Sequence, residues 1–484
     1  MTSISSSSER RAAAVAASGP DGGSGDHGVA LWQQLQATAA ALVAIRGGQS
    51  APTALQAVAP PLRPGARALV FHVLRWLGRA EALRRKLAAR TPAPLPDALL
   101  CTALALAWRA EDAPYEPFTL VDQTVEAAKR NAATRPQASF INACLRRFLR
   151  EREELLAAVE HEPMAFWNHP RWWIEQLKRD HPRRWQDILR ANNAQAPMTL
   201  RVNAQKTSRA RVLQALDAMD IEADPVGDVG VLLGRALPVE QVPGFAEGQV
   251  SVQDAAAQLA APLLLRGLDL DPRGRGGRPL RVLDACAAPG GKTAHLLEYA
   301  AEAAGVAPGG APPIDVLALD IDPARCERIH QTLDRLGLSA QVLAADARTP
   351  ADWWPRHCGS QPFDAILLDA PCTASGIVRR QPDVRWLRRE SDIAQLAIIQ
   401  AGLLTTLWAL LAPGGRLLYC TCSVFRAEGD RQIETFVAHN TDAVLLPSPG
   451  HLLPTGGHAR GAVPDNPAGD HDGFFYALLQ KRSA

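Results

Sequence analysis

The spacing of apolar positions changes twice along the chain, and the changes divide it. From Val29 to about Glu160 they recur at helical intervals: Leu31 with Leu35, Leu42 with Ile45, Leu69-Val73-Leu77, Leu99-Leu104-Leu106 and Val121-Val125-Ala128. Pro60-Pro61, Pro92–Pro96 and Pro114 interrupt the pattern, so 29–160 reads as an all-helical region. Within it, Ser139–Arg150 sets an apolar stripe of Phe140, Ile141, Cys144, Leu145 and Phe148 beside Arg146, Arg147 and Arg150. A core helix with a solvated basic face is the expected reading; a face that meets phosphates is the alternative. Pro163–Trp185 then interleaves Phe166, Trp167, Trp172, Trp173 and Trp185 with Arg171, Lys178, Arg179, Arg183 and Arg184. Rings among cations suit unpaired RNA bases and their phosphates, and a packed connector with snorkelling arginines fits equally.

The connector, 161–275, carries a small α+β segment: a strand at Met198–Asn203, a helix at about Arg209–Met219 and a strand at about Val229–Leu233. Gly267–Pro279 is a flexible join. From Leu280 strands and helices alternate, which predicts a mostly parallel sheet covered on both faces over 276–484. The predicted strands are Leu280–Ala285, Ile314–Asp320, Ala340–Asp346, Ala365–Asp369 and Arg416–Thr421. The helices are about Lys292–Ala304, Pro323–Leu336, Ser391–Leu411 and Ala427–Ala438, with a loop Gly305–Pro313 before the second strand. Gly473–Gln480 reads as a closing strand in an antiparallel hairpin.

At the head of this last region stands Val282–Thr293, VLDACAAPGGKT: an apolar run, Asp284, a small-residue turn and a helix start. Backbone N–H groups and the helix dipole can meet a ligand there. A P-loop is excluded because Cys286 stands where its first glycine should, and G-x-G-x-x-G is absent too. An ordinary strand-to-helix turn remains the alternative. Acids end three of the other predicted strands: Asp320, Asp346 and Asp369. An acid closing the second strand suits a ribose, as NAD or S-adenosylmethionine would offer, and Asp346 could meet an adenine edge. Any single one could be a helix N-cap.

Composition narrows the partners. At 484 residues, 47% hydrophobic and 21% charged, the chain is long enough for several globular domains. A net charge of +2 confines any nucleic-acid surface to a local patch. Met1–Gly28 is rich in Ser, Ala and Gly and reads as a disordered tail, with no apolar segment of a signal peptide. No apolar run approaches the ~20 residues of a membrane helix. The eight cysteines form no C-x-x-C pair, so a disulfide framework or a metal site is not expected and a reducing cytoplasm is the simplest setting. Most fit small buried hydrophobes, Cys101, Cys144 and Cys420 among them. Cys372 and Cys422 differ, because each lies just beyond a predicted strand, at the edge where the Gly290 turn emerges. A thiolate there would be a strong nucleophile.

DACAAPGGKT, LDAPCTASG and YCTCS together resemble the RNA cytosine-C5 methyltransferases of the Nol/Nop/Sun family, over about Met198 to the C-terminus. GQVSVQD (Gly248–Asp254) fits as well, and SFINACLRR resembles a NusB-like RNA-binding domain. Only the Gly305–Pro313 loop and the N-terminal tail depart from the family pattern. The resemblance implies a multidomain chain: an all-α NusB-like N-terminal domain, a small α+β linker domain and a C-terminal α/β, Rossmann-like S-adenosylmethionine-dependent methyltransferase domain. It further implies 16S ribosomal RNA as substrate, alone or in a partly assembled particle; nothing in the sequence demands more than a monomer, and the cysteines favour the cytoplasm. Cys422 would add to cytosine C6, turning a poor nucleophile at C5 into an enamine that takes the methyl group. Asp369 would hold the N3 edge. Cys372 would assist removal of the C5 proton and release. Cys286, Ala287, Ala288, Pro289, Gly290, Gly291 and Lys292 would hold the methionine end of the cofactor, Asp320 its ribose and Asp346 its adenine side, with Asp369 adjoining. Gly376–Glu390, with Arg379, Arg380, Arg385, Arg388, Arg389 and Trp386, follows Cys372 closely and is expected to contact RNA. Methylation of tRNA or large-subunit RNA is the nearest alternative. A non-catalytic assembly factor would not need both thiols, and a P-loop NTPase lacks its glycine.

Overall fold

The computed structural model describes residues 29–109, 113–307, 310–454 and 470–483. The tail expected over residues 1–28 lies outside them, as does part of the Gly305–Pro313 loop. The chain forms two compact units: one runs to Ala194 and takes in Val378–Arg388, the other comprises Gln195–Ile377 and Arg389–Ala484.

The first unit is helical, with Leu31–Arg46, Arg63–Leu87, Pro94–Ala107, Pro117–Arg130 and Ala138–Arg150 as its main helices. Pro94 and Pro117 open helices, where a missing N–H costs nothing. In Pro94–Ala107 every residue from Pro96 onward is buried, which explains its lack of a polar face. Ala138–Arg150 buries Ile141, Cys144, Leu145 and Phe148. Phe140 corrects the sequence reading: one position off that stripe, it is 37% exposed. Beside it Arg147 and Arg150 pair with Glu151 at 2.7 and 2.9 Å on the exposed face. The aromatic stretch after Pro163 packs largely on itself. Trp173 is fully buried, and Trp167 meets Trp185 with ring centroids 5.1 Å apart.

Gly376–Glu390 gives the larger correction. Arg379 and Arg385 are buried in the helical unit and cannot reach RNA there. Arg385 donates to Asn168 O at 3.0 Å, to Asn192 O at 2.6 Å and to the Asn193 amide. Arg379 O accepts from Arg75 at 3.0 Å, Trp386 Nε1 donates to Leu74 O at 2.8 Å, and Asp383 accepts from Ala51 N at 2.8 Å. Guanidinium groups here satisfy backbone carbonyls that helix ends leave open. Only Arg389 of the five arginines is exposed, and Arg380 and Arg388 are half-buried.

The second unit holds two sheets. Strands β1 (Met198–Val202), β2 (Ala223–Val226), β3 (Gly230–Leu233) and β4 (Val250–Val252) form an antiparallel sheet in the order β2-β3-β1-β4. β2 was not foreseen, since Pro225 argues against a strand; at the sheet edge its missing donor is tolerated. The larger sheet comprises β5 (Leu280–Asp284), β6 (Ile314–Asp320), β7 (Gln341–Ala344), β8 (Phe363–Asp369), β9 (Leu411–Thr421), β10 (Ala443–Leu452) and β11 (Phe474–Lys481). Its order is β10-β11-β9-β8-β5-β6-β7. β5 to β9 are parallel, and β11 runs antiparallel between β9 and β10. The edge strand β10, with Pro447 and Pro449, escaped the sequence pattern for the same reason as β2. Successive residues bury on opposite faces: Val282, Ala365 and Leu367 on one, Leu283, Ile366 and Leu368 on the other. The helix Glu390–Ala409 is the one described helix long and apolar enough to cross a membrane. Its Leu403, Leu404, Leu407 and Trp408 instead pack into the core on the Leu283 face.

Candidate active site

β5 pairs with β6 on one side and β8 on the other, while the chain reaches β8 only after β7. The strand order therefore reverses at the β5/β8 crevice, where ligands of open α/β sheets bind. The candidate residues gather at that carboxyl edge. Asp369 ends β8, Asp284 ends β5, Asp320 ends β6, and Asp346 follows β7. Cys420, next to last in β9, is the register partner of Asp369.

The turn after β5 is built for close approach. Gly290 adopts φ 94°, and a Cβ there would stand 3.1 Å from the Ile329 backbone. A Cβ on Gly291 would meet only the Gln253 amide, at 3.8 Å, so the mouth of the helix Gly291–Ala303 is open. Arg201 of β1, fully buried, pairs with Glu298 of that helix at 2.9 Å and donates to Gly291 O at 2.8 Å. The small sheet thereby fixes the turn.

The acids have different surroundings. Asp284 is fully buried; one oxygen accepts from Thr293 Oγ at 2.7 Å and the other has no protein partner. Burial pushes its pKa up to about 7. Asp320 is nearly buried, and its oxygens accept from Ala288 N at 3.3 Å and Asp322 N at 3.1 Å. Asp346 is engaged by its neighbour: Arg348 donates to both its oxygens, at 2.7 to 3.1 Å, and holds its pKa below the ordinary value. A buried acid with an orphaned oxygen, an open helix start and a carboxylate on the next strand together fit a cofactor with an amino-acid end and a ribose.

Lys292, expected with the turn, reaches further. Its Nζ pairs with Asp369 Oδ2 at 2.7 Å and lies 5.3 Å from the Phe474 ring centre. Burial opposes its charge, yet Asp369 holds its pKa above the ordinary value. Asp369 also accepts from the Cys420 thiol at 3.3 Å. Beyond the ends of β8 and β9, Cys372 and Cys422 are brought together with Sγ atoms 3.4 Å apart. Their loops are joined: Ala370 N donates to Cys420 O and Gly376 N to Cys422 O, both at 2.9 Å. The Cys372 thiol is pushed well above its usual value, first by its hydrogen bond with Cys422 and then by burial. Cys286, half-buried, is likewise pushed up by burial, so it stays a thiol. Sequence reasoning missed the Lys292–Asp369 pair and the buried Glu428, which contacts both thiol loops. The signal for Glu428 was only an acid just after YCTCS.

Among family models, one described as 16S rRNA methyltransferase RsmB/F matches residues 273–480. A RsmF/B-like ferredoxin-like domain matches 169–240, and the NusB family matches 39–150. The ribosomal RNA small subunit methyltransferase B of Klebsiella pneumoniae is 40% identical over 425 residues, covering 86% of this chain and 89% of that protein. The protein of the same name from Vibrio cholerae is 38% identical over 445 residues, covering 90% and 94%. The crystal structure of PH0851 is similar with a TM-score of 0.68 at 25% identity, over 93% of this chain and 99% of that one. The structure of NSun6 from Pyrococcus horikoshii with SFG shares the fold, with a TM-score of 0.50 at 16% identity over 65% and 99%. The N-terminal helices are thus NusB-like, a ferredoxin-like domain lies in the connector, and a Rossmann-like methyltransferase domain closes the chain. With relatives at this identity over most of its length, the chain belongs to the 16S rRNA methyltransferase RsmB/F family.

Proposed function

We propose that this enzyme methylates C5 of a cytosine in small-subunit ribosomal RNA, through a transient bond between Cys422 and C6. The observation that carries the reading is the pair of thiols 3.4 Å apart beside the Asp369–Lys292 ion pair. The methyl donor is S-adenosylmethionine, which when bound supplies an electrophilic methyl group. Gly290 and Gly291 with the preceding turn would hold its methionine end, Asp320 its ribose and Asp346 its adenine side.

The chain's own residues do the rest. Cys422 as thiolate adds to C6, and the electron pair moves through the ring toward N3 and C5. Asp369, steadied by Lys292 on one oxygen, would share a proton with N3 through the other and so favour the ring that accepts this charge. C5 would then form its bond to the methyl carbon as the donor's sulfur–methyl bond breaks, that electron pair staying on sulfur to leave a neutral thioether. Cys372 takes the C5 proton, and the C6–S bond breaks to return the Cys422 thiolate. The raised pKa of Cys372 suits this order. A second negative charge beside Cys422 is disfavoured until Cys422 becomes a neutral thioether; then Cys372 can lose its proton to water and act as base.

The helical region, 29–160, would bind RNA on its own surface. Arg146, Arg147 and Arg150 present an exposed basic face for it.

Bisulfite sequencing of ribosomal RNA from cells with and without the protein tests the reading. One small-subunit cytosine should be protected only when the protein is present; protection confined to tRNA or large-subunit RNA would move the substrate, and none anywhere would refute the reaction. A Cys372→Ala variant should accumulate a protein–RNA adduct visible on a denaturing gel.

A further inference from the structure

Glu428 takes no part in the chemistry above, yet it is fully buried and bound to both loops that carry it. Its carboxylate accepts from Thr373 N at 2.9 Å, Thr373 Oγ at 2.5 Å, Ser423 Oγ at 2.6 Å and Gln400 Nε2 at 3.1 Å. Thr373 follows Cys372 and Ser423 follows Cys422 in the chain. One carboxylate therefore joins the two loops at the residues adjoining the two thiols. The surrounding groups lock the clamp. Ser375 Oγ lies 2.9 Å from Ser423 Oγ, and Phe425 N donates to Ser423 Oγ at 3.1 Å. Gln400 also donates to Pro371 O at 2.9 Å, and Tyr419 donates to Glu428 O at 2.9 Å.

The partners of this carboxylate are neutral donors. Burial pushes its pKa up, and the four hydrogen bonds oppose that. A buried carboxylate costs more than an amide or an apolar residue of the same size. Holding two loops together does not by itself require a charge. What the charge adds is its place: it sits on Thr373 N at 2.9 Å, the amide that adjoins Cys372.

We propose that Glu428 is a positioning residue for methyl transfer, clamping the Cys372 and Cys422 loops in the register that sets the two sulfurs side by side and keeping a negative charge beside Cys372. This rests on the reading of Cys422 as nucleophile and Cys372 as base.

The test uses the full-length enzyme with small-subunit RNA and S-adenosylmethionine, comparing wild type with Glu428→Gln, Glu428→Asp and Cys422→Ser. Glu428→Gln turns one acceptor into a donor among donors and removes the charge. It should lower kcat about 10- to 100-fold, as sub-ångström misplacement of reacting groups does, with the KM for S-adenosylmethionine within about twofold. The rising limb of its kcat–pH profile should move to lower pH, because a negative charge beside Cys372 is gone. Glu428→Asp keeps the charge on a shorter arm; it should lose kcat without that shift, and it serves as the test if the Gln variant does not fold. Full kcat in the folded variants would overturn the proposal. So would a loss in Glu428→Gln with an unmoved pH profile, which would make Glu428 merely structural. The outcomes separate cleanly from the underlying reading: activity in Cys422→Ser would sink the nucleophile itself, whereas an inactive Cys422→Ser beside a fully active Glu428→Gln would sink only the clamp.

Discussion

The two ends of the strand-end row are held in opposite ways. At the β8/β9 end, groups hold one another: Lys292 on Asp369, Cys420 on Asp369, Cys372 on Cys422, and Glu428 across both loops. At the β5/β6/β7 end, each acid leans on one side-chain partner, two of them on the protein surface, and one buried oxygen is left open. Asp284 keeps an oxygen without a protein partner, Asp320 accepts from two backbone N–H groups and pairs with the half-exposed Arg325 at 3.3 Å, and Asp346 is shared with the half-exposed Arg348. The difference suits the two tasks proposed for these residues. A reacting constellation must be fixed before substrate arrives, so its polar groups are satisfied internally. A ligand-holding set needs unmet hydrogen-bonding capacity for the ligand to fill.

Substitutions can break that contrast. The largest effect is expected at the reacting end: Cys422→Ser should lower kcat by more than about a thousandfold, since a serine hydroxyl stays protonated where a thiol ionises. Substantial residual turnover in a methyl-incorporation assay would erase the distinction between the ends. At the holding end, Asp320→Ala should raise the KM for S-adenosylmethionine about 10- to 100-fold, the worth of hydrogen bonds to a charged acceptor, with kcat changed much less. A loss mainly in kcat would place Asp320 with the reacting groups.

The smallest effect concerns stability without ligand. Asp284 has its folded pKa raised to about 7, against about 3.9 in an unfolded chain, so the folded state binds the extra proton. The stabilisation is complete below about pH 4 and is lost as pH rises through 7. Asp284→Asn mimics the protonated acid, so its Tm relative to wild type should rise between pH 5 and pH 8, by a few degrees. Parallel Tm-versus-pH curves for the two proteins would show that Asp284 is not held protonated.

Much of the site was legible because its signals are local. Gly290 announces a backbone that needs positive φ, and acids at strand ends lie near their own apolar runs. The arginines of Gly376–Glu390 show the opposite case. In sequence Arg385 and Arg389 are equivalent members of a basic run, but one is buried on carbonyls of Asn168 and Asn192 and the other faces water. Nothing local distinguishes them, because the partners lie far away in the chain. Lys292 was legible as a residue of the turn but not as the partner of Asp369.

The sequence alone determined the order of domains, the parallel strands and the residue types at their ends, since periodicity and turn chemistry act over a few residues. Only the tertiary structure decided which of those residues meet. β8 returns beside β5 after the excursion through β6 and β7, so Asp369 comes to Lys292; β9 pairs with β8, so Cys372 comes to Cys422 and Glu428 to the loops of both thiols. The physical reason is that hydrogen bonds and ion pairs are short-ranged, while the pairing of strands that brings their partners together spans much of the domain.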